Sequence, residues 1–144
     1  MAAIKDLNQL LASMEPVLKE EVFVFATLTT SSQLPFDLIE ASIKEEEGLS
    51  VLVTEKIAHT YGLEAQFRSA WITLNVHSDL AAVGLTAAFA SALGEVGLSC
   101  NVVAGNYHDH ILVPYDKADL AMRTLKGLQE VAQKESLEKN DYRF

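Results

Sequence analysis

Residues 71–113 constrain the fold more than any other stretch, because the spacing of their apolar residues switches from two to three or four and back again. Trp71–His77 alternates, with Ile72, Leu74 and Val76 on one face and Trp71, Thr73 and Asn75 on the other, which predicts a strand. Leu80–Val96 carries Leu85, Phe89, Ala92, Leu93 and Val96 as one broad stripe, which predicts a helix. Ser99–Val103 and Tyr107–Val113 return to strand character around a Gly105-Asn106 turn, and Pro114 opens onto another helix. Strand, helix, strand, turn and strand in that order make most of a split βαβ unit, a motif that offers a ligand crevice where a strand's end meets a helix's start.

The predicted helix has a second face without bulk, formed by Gly84, Ala87, Ala88, Ser91 and Gly94. Glycine inside a helix costs about 1 kcal/mol relative to Ala, so a neighbouring helix, a second subunit or a ligand is expected to come close there. A last helix with Ala118, Ala121, Met122, Leu125, Leu128 and Ala132 on one face covers the same sheet. Upstream, Leu7, Leu10, Leu11 and Met14 behind a capping Asp6 predict a short helix that Pro16 ends. Val22–Leu28 has no polar face and reads as a central strand covered on both sides. Thr29–Pro35 is a polar loop of the kind that can line a site. Ile39–Lys44 and Leu49–Val53 alternate as two strands about a Glu47-Gly48 turn, and Glu55–Tyr61 forms a short helix with Gly62 as its left-handed cap. Leu63–Ser69 reads as a connection, and the charged, aperiodic stretch after Lys134 is expected to fray.

With 144 residues, 49% of them hydrophobic, the chain can bury roughly two-thirds of its unfolded surface without help from a metal or a disulfide. Its net charge of −9 repels phosphate backbones and anionic membranes, so neither nucleic acid nor membrane is an expected partner. The single Cys100 has no internal partner and suits a reducing compartment. No signal peptide is expected at Met1–Leu11 and no apolar run reaches the roughly 18 residues that span a bilayer, so the reading is a soluble, cytoplasmic protein.

These residues resemble the ACT-domain family, small ligand-binding regulatory modules of βαββαβ order. The likeness is densest over Leu74–Val113: an apolar strand, Ser78-Asp79 at the helix entrance, Val83-Gly84-Leu85 in its first turns, and the strand Cys100–Val103 after the Gly97 turn. Asn101–Pro114 is similar to paired ACT modules, including tandem amino-acid sensors. The first part, from Leu7 through the Glu45–Leu49 hairpin, is similar to a divergent partner module. The resemblance implies an α+β, ferredoxin-like ACT architecture with two subdomains packed as one unit. Residues 1–66 would form the divergent N-terminal one, 67–133 the C-terminal ACT domain and 134–144 a frayed tail. It also implies sites between modules, and hence a homodimer or higher homo-oligomer. One departure is the entrance segment Asp79–Gly84, longer than the Asp-x-x-Gly turn usual in the family.

A free amino acid presents a carboxylate, an ammonium and a side chain to be matched. The amides of the helix's first turns suit the carboxylate. Gly84 lets a ligand or a facing backbone approach, Asp79 or Asp109 can accept the ammonium, and the edges of Asn101, Val102 and Val103 can supply backbone partners. With Ser78, Val83 and Leu85 these make the candidate ligand site. Ser78 or Asp79 serves equally well as a helix cap, and Gly84 as a packing position, whereas Asp109 stands mid-strand, where Asp is depleted. No phosphate loop, zinc-protease helix, paired-cysteine motif or nucleophile elbow occurs, so no catalytic residue, cofactor or metal is assigned. The rival readings are a small metal-dependent enzyme using His77, His108 and His110, and a structural interaction module whose pocket has decayed.

Overall fold

The computed structural model describes residues 3, 4, 6–30 and 34–141. Ser31, Ser32 and Gln33 of the polar loop, and the terminal residues 142–144, lie outside the described residues. Helix α1 (Leu7–Ser13) starts as predicted, the Asp6 carboxylate accepting a hydrogen bond from the Gln9 amide at 2.9 Å. Pro16 does not lead into a plain loop, however, because Glu15–Leu18 forms a strand, β1, too short for its periodicity to show in the sequence. Proline is tolerated there because β1 pairs along one side, antiparallel to β5 (Gln66–Asn75), with Pro16 opposite Leu74.

Strand β2 (Phe23–Leu28) sits mid-sheet, as its apolar run predicts, between β5 and β4 (Gly48–Thr54). A 3-10 turn at Phe36–Leu38 and strand β3 (Ala41–Glu45) precede β4, and helix α2 (Glu55–Thr60) follows it, with Gly62 in the predicted left-handed cap at φ 64°. Strand β5 starts well before the predicted strand because a bulge hides its alternation. Phe23 faces Ser69 and Phe25 faces Gln66, so β5 carries one extra residue, and Phe67 adopts φ 56°. Helix α3 (Leu85–Glu95), strands β6 (Asn101–Ala104) and β7 (Asp109–Pro114), and helix α4 (Ala118–Asp141) complete the chain. The charged stretch 134–141, expected to fray, continues α4. Asn8 Nδ2 donates to Ser136 Oγ at 2.6 Å, and the Gln129 and Gln133 amides donate to the Ala12 carbonyl, so α1 holds the later turns of α4.

The seven strands of the described residues join one antiparallel sheet of order β3-β4-β2-β5-β7-β6, with β1 beside the second part of β5. Residues directly opposite in antiparallel strands share a face, so the register fixes both sides of the sheet. Val24, Ala26, Val51 and Val53 face α2, while Ala70, Ile72, Leu74, Ile111 and Val113 pack with α1, α3 and α4. Phe89 and Leu93 of α3 are fully buried there, as are Leu10 and Met14, each side chain contributing roughly 1.5–3 kcal/mol. Segment 7–18 therefore packs under the second half of the chain, although a division at 66/67 assigns it to the first.

Among the described residues no helix covers the opposite face, yet Phe23, Leu52, Trp71 and Leu112 are buried on it. Lys19 accounts for part of this, its ammonium lying 4.9 Å from the Trp71 ring centre and 5.5 Å from that of Phe23. Curvature adds cover at Leu52. Val103 of β6 and Ala41 and Ile43 of β3, from opposite ends of the strand order, line one small apolar hollow of about 70 Å³ with Phe25 and Leu52, so the sheet curls its two edges toward each other.

Candidate functional site

Where β5 ends, the chain is pinned from the N-terminus. The Ile4 amide donates to the His77 carbonyl and the Asp79 amide to the Ile4 carbonyl, both at 2.9 Å, in a parallel bridge between Ile4 and Ser78. Asp79 then folds the chain back on itself, its carboxylate accepting from the Ala81 amide at 2.8 Å and its carbonyl from the Ala82 amide at 2.9 Å. This turn is why the helix begins at Leu85 and not at Leu80 as periodicity predicts: 79–84 is a loop, and Gly84 at φ 103° is the helix cap. Gly84 offers no side chain to the first amides of α3, so Leu85, Thr86 and Ala87 lack the side-chain cap that Asp6 gives α1. A Cβ at Gly84 would stand 3.0 Å from a Leu7 methyl group, which makes α1 the neighbour that the bare position admits.

Loop and helix start enclose, with the β6–β7 hairpin, a crevice of about 370 Å³. It brings together Ser78, Asp79, Val83, Gly84, Leu85 and Asp109 of the candidate set. Asn101, Val102 and Val103 do not join them. Asn101 and Val102 lie exposed on the edge strand β6, and Val103, opposite His110, points to the helix-free face and the hollow beside Phe25. Leu80, Ala82, Thr86 and Ala104 line the crevice in addition. Ala104 was hidden by the turn. A two-residue Gly105-Asn106 turn would set it opposite Tyr107, but the observed loop runs from Gly105 to His108, closed by the Gly105 amide donating to the His108 carbonyl at 2.9 Å, and sets it opposite Asp109.

Asp109 faces the helices, in line with the buried Leu74 opposite it. Burial pushes its carboxyl above the ordinary value of 3.8, and the adjacent His110 pulls it partly back. His110 points the other way. Its Nδ1 lies 2.9 Å from Thr73 Oγ1, which accepts from Trp71 Nε1 at 3.1 Å, and its ring lies 5.2 Å from that of Trp71. Burial, then His108 and Lys19, lower the His110 value below 6.5, with Asp109 opposing. The unfolded chain therefore holds a proton on this residue that the folded protein refuses. Stability from His110 is complete above pH 6.5 and is lost as pH falls below it. Urea unfolding at pH 7.5 and 5.5 is expected to show a smaller acid loss in His110→Gln than in the native chain; equal losses would contradict the assignment.

The three imidazoles of the rival metal-enzyme reading are separately engaged: the His77 ring lies against that of Tyr107, 5.2 Å between centres and tilted by 45°, Thr73 holds His110, and the His108 ring centre lies 6.4 Å from that of His110. Among the described residues, no group of three or more His, Cys, Asp or Glu converges as a metal site. Cys100 is half-buried against the helix-side core, and burial raises its thiol value. Among the described residues, no helix is long and apolar enough to cross a membrane.

Comparison with known proteins places these observations in a lineage. Two family models, each described as an ACT domain, match residues 2–70 and 66–127. Their overlap falls on the start of β5, the strand that pairs with β2 on one side and β7 on the other. A crystal structure from Vibrio cholerae, of a protein of unknown function described as a possible transport protein, is 43% identical, with a TM-score of 0.77 over 89% of this chain and 99% of that one. The ligand-free regulatory subunit of aspartate kinase from Thermus thermophilus shares the fold at 12% identity, with a TM-score of 0.61 over 81% of this chain and 97% of that one. A protein from Agrobacterium tumefaciens shares it at 15% identity, also with a TM-score of 0.61, over 81% and 89%. Comparison with curated proteins gives no match.

Proposed function

We propose, from the premise that this chain belongs to the ACT-domain family, that it is a non-catalytic regulatory module that binds a free amino acid or a closely related metabolite. The observation that carries the reading is the crevice. Amides without a side-chain cap at the start of α3 and a half-buried carboxylate, Asp109, line one cavity of about 370 Å³, the size class of small-ligand sites. An α-carboxylate fits the amides and an α-ammonium fits Asp109. The regulatory subunit of aspartate kinase, which shares the fold, supports a regulatory role for such a pair of modules.

The loop that forms one wall presents Leu80 and Val83 to solvent, 69% and 84% exposed, beside the open edge of β6. Large apolar side chains held out at the crevice rim favour a second copy of the chain as its cover, so the working form is a homodimer in the cytoplasm, with neither nucleic acid nor membrane as partner. Ligand shared between two copies biases their packing to the extent that it prefers one arrangement over another. The modules read best as a divergent N-terminal one and a C-terminal one meeting near residues 66–67, where β5 bulges. A thermal-shift screen of the twenty amino acids tests the reading. A ligand at about 100 times Kd is expected to add roughly 2.7 kcal/mol of stability, and a flat response across the panel overturns it.

A further inference from the structure

The geometry points to a self-docking face on α4: two copies of this chain pair helix to helix, antiparallel, through the ridge formed by Arg123, Gly127, Val131 and Glu135. Residues four apart follow one another along a single ridge of a helix. On α4 this ridge lies outside the core, which takes Ala121, Leu125 and Ala132. Arg123, Val131 and Glu135 are exposed, Val131 by 56%. Gly127 makes a notch among them. A Cβ built there would meet no atom of a neighbouring element within 4 Å among the described residues, so packing inside the chain does not call for glycine, although glycine mid-helix weakens a helix relative to leucine or alanine.

The ridge complements itself. A two-fold axis midway between Gly127 and Val131 sets each Val131 over the partner's Gly127, so the bulky apolar group of one copy enters the gap of the other. The same operation sets each Arg123 opposite the partner's Glu135, once at either end. Lys134 then faces Thr124 and Glu138 faces Leu120, so these positions bring no like charges together. Other registers lose the match. Sliding the copies until Gly127 opposes Gly127 puts Val131 against Arg123 and Glu135 against Asp119, and sliding them the other way puts Val131 against Val131 with no gap for either. This joint fit of shape and charge selects a second copy of the chain as the occupant. The contact is independent of any cover over the crevice, since none of the four ridge residues lines it.

Sedimentation equilibrium of the full chain over a concentration series tests the pairing. The native chain is expected to self-associate. Val131→Glu, which places two unpaired charges at the axis, is expected to move the association midpoint to at least about 10-fold higher concentration. Gly127→Leu fills the notch and is expected to weaken association as much, while its urea midpoint, read where both chains are monomeric, rises above the native one. Arg123→Glu and Glu135→Arg are each expected to weaken association, and the two together to restore it, because the pairs re-form with their charges exchanged. A native chain that stays monomeric at every concentration overturns the proposal. An unchanged midpoint in Val131→Glu also overturns it, since the copies then meet elsewhere, as at the crevice rim. A double exchange no better than either single change does the same.

Discussion

Asp109→Asn is expected to weaken amino-acid binding by about 10- to 150-fold while making the free protein more stable at neutral pH. The first number follows from the roughly 1.5–3 kcal/mol carried by a hydrogen bond to a charged group, with each 1.4 kcal/mol worth a factor of ten. The second follows from linkage. Burial raises the Asp109 carboxyl above 3.8 in the folded state, so between pH 3.8 and the raised value the folded protein holds a proton that the unfolded chain releases. Stability is therefore lost as pH rises through that window, and above it the charged carboxylate remains a constant cost. Asparagine carries no such charge, so the variant's advantage should be present near pH 7 and vanish below pH 3.8. A carboxylate whose role was structural would give the opposite result, a less stable variant. Calorimetric titration and urea unfolding at pH 7 and pH 3.5 read the two effects separately; unchanged affinity, or lower stability at pH 7, would contradict a ligand-binding role.

How much of this was legible in the sequence depended on which physical signal each element carries. Where a side chain acts on its own neighbours, sequence suffices. Asp6 caps α1, Gly62 closes α2, and the run Phe23–Leu28 forms a mid-sheet strand. Where structure is set by a backbone departure, the pattern misleads. The Phe67 bulge hides the first part of β5, and the Asp79 turn consumes five residues whose spacing looks helical. The crevice shows both cases together. Ser78, Asp79, Gly84 and Asp109 could be found because they break the apolar pattern at element ends or mid-strand. Val103 was misplaced because strand alternation turns it to the other face, and Ala104 was missed because a hairpin's register depends on loop length, here two residues longer than the Gly-Asn pair suggests. The partnership of β1 with β5 is the hardest case, since nothing in a four-residue segment names a strand more than fifty residues away.

That partnership sets the last expectation: removing residues 1–18 should abolish cooperative folding of the second half of the chain, not merely trim a peripheral helix. Deletion strips the side of β5 from Ile72 to Asn75 of its β1 partner and opens a sheet edge in the middle of the molecule. It also takes Leu10 and Met14 out of the core that Phe89, Leu93 and Leu125 share, all of them fully buried, and leaves Gly84 without the Leu7 side chain packed on it. Leu10→Ala alone is expected to cost roughly 2–5 kcal/mol, as large-to-small changes in fully buried positions do. Against the roughly 5–15 kcal/mol that holds a typical domain together, losing the whole segment leaves no margin. The ligand site would fail with it, because Ile4 pins His77 and Asp79 at the crevice mouth. Urea titration followed by tryptophan fluorescence reads this directly, since Trp71 sits on β5 beside β1. A cooperative transition at an unchanged midpoint in the shortened chain would mean that the C-terminal module stands without its borrowed strand. Its fourth strand would then be an accessory and not part of the fold.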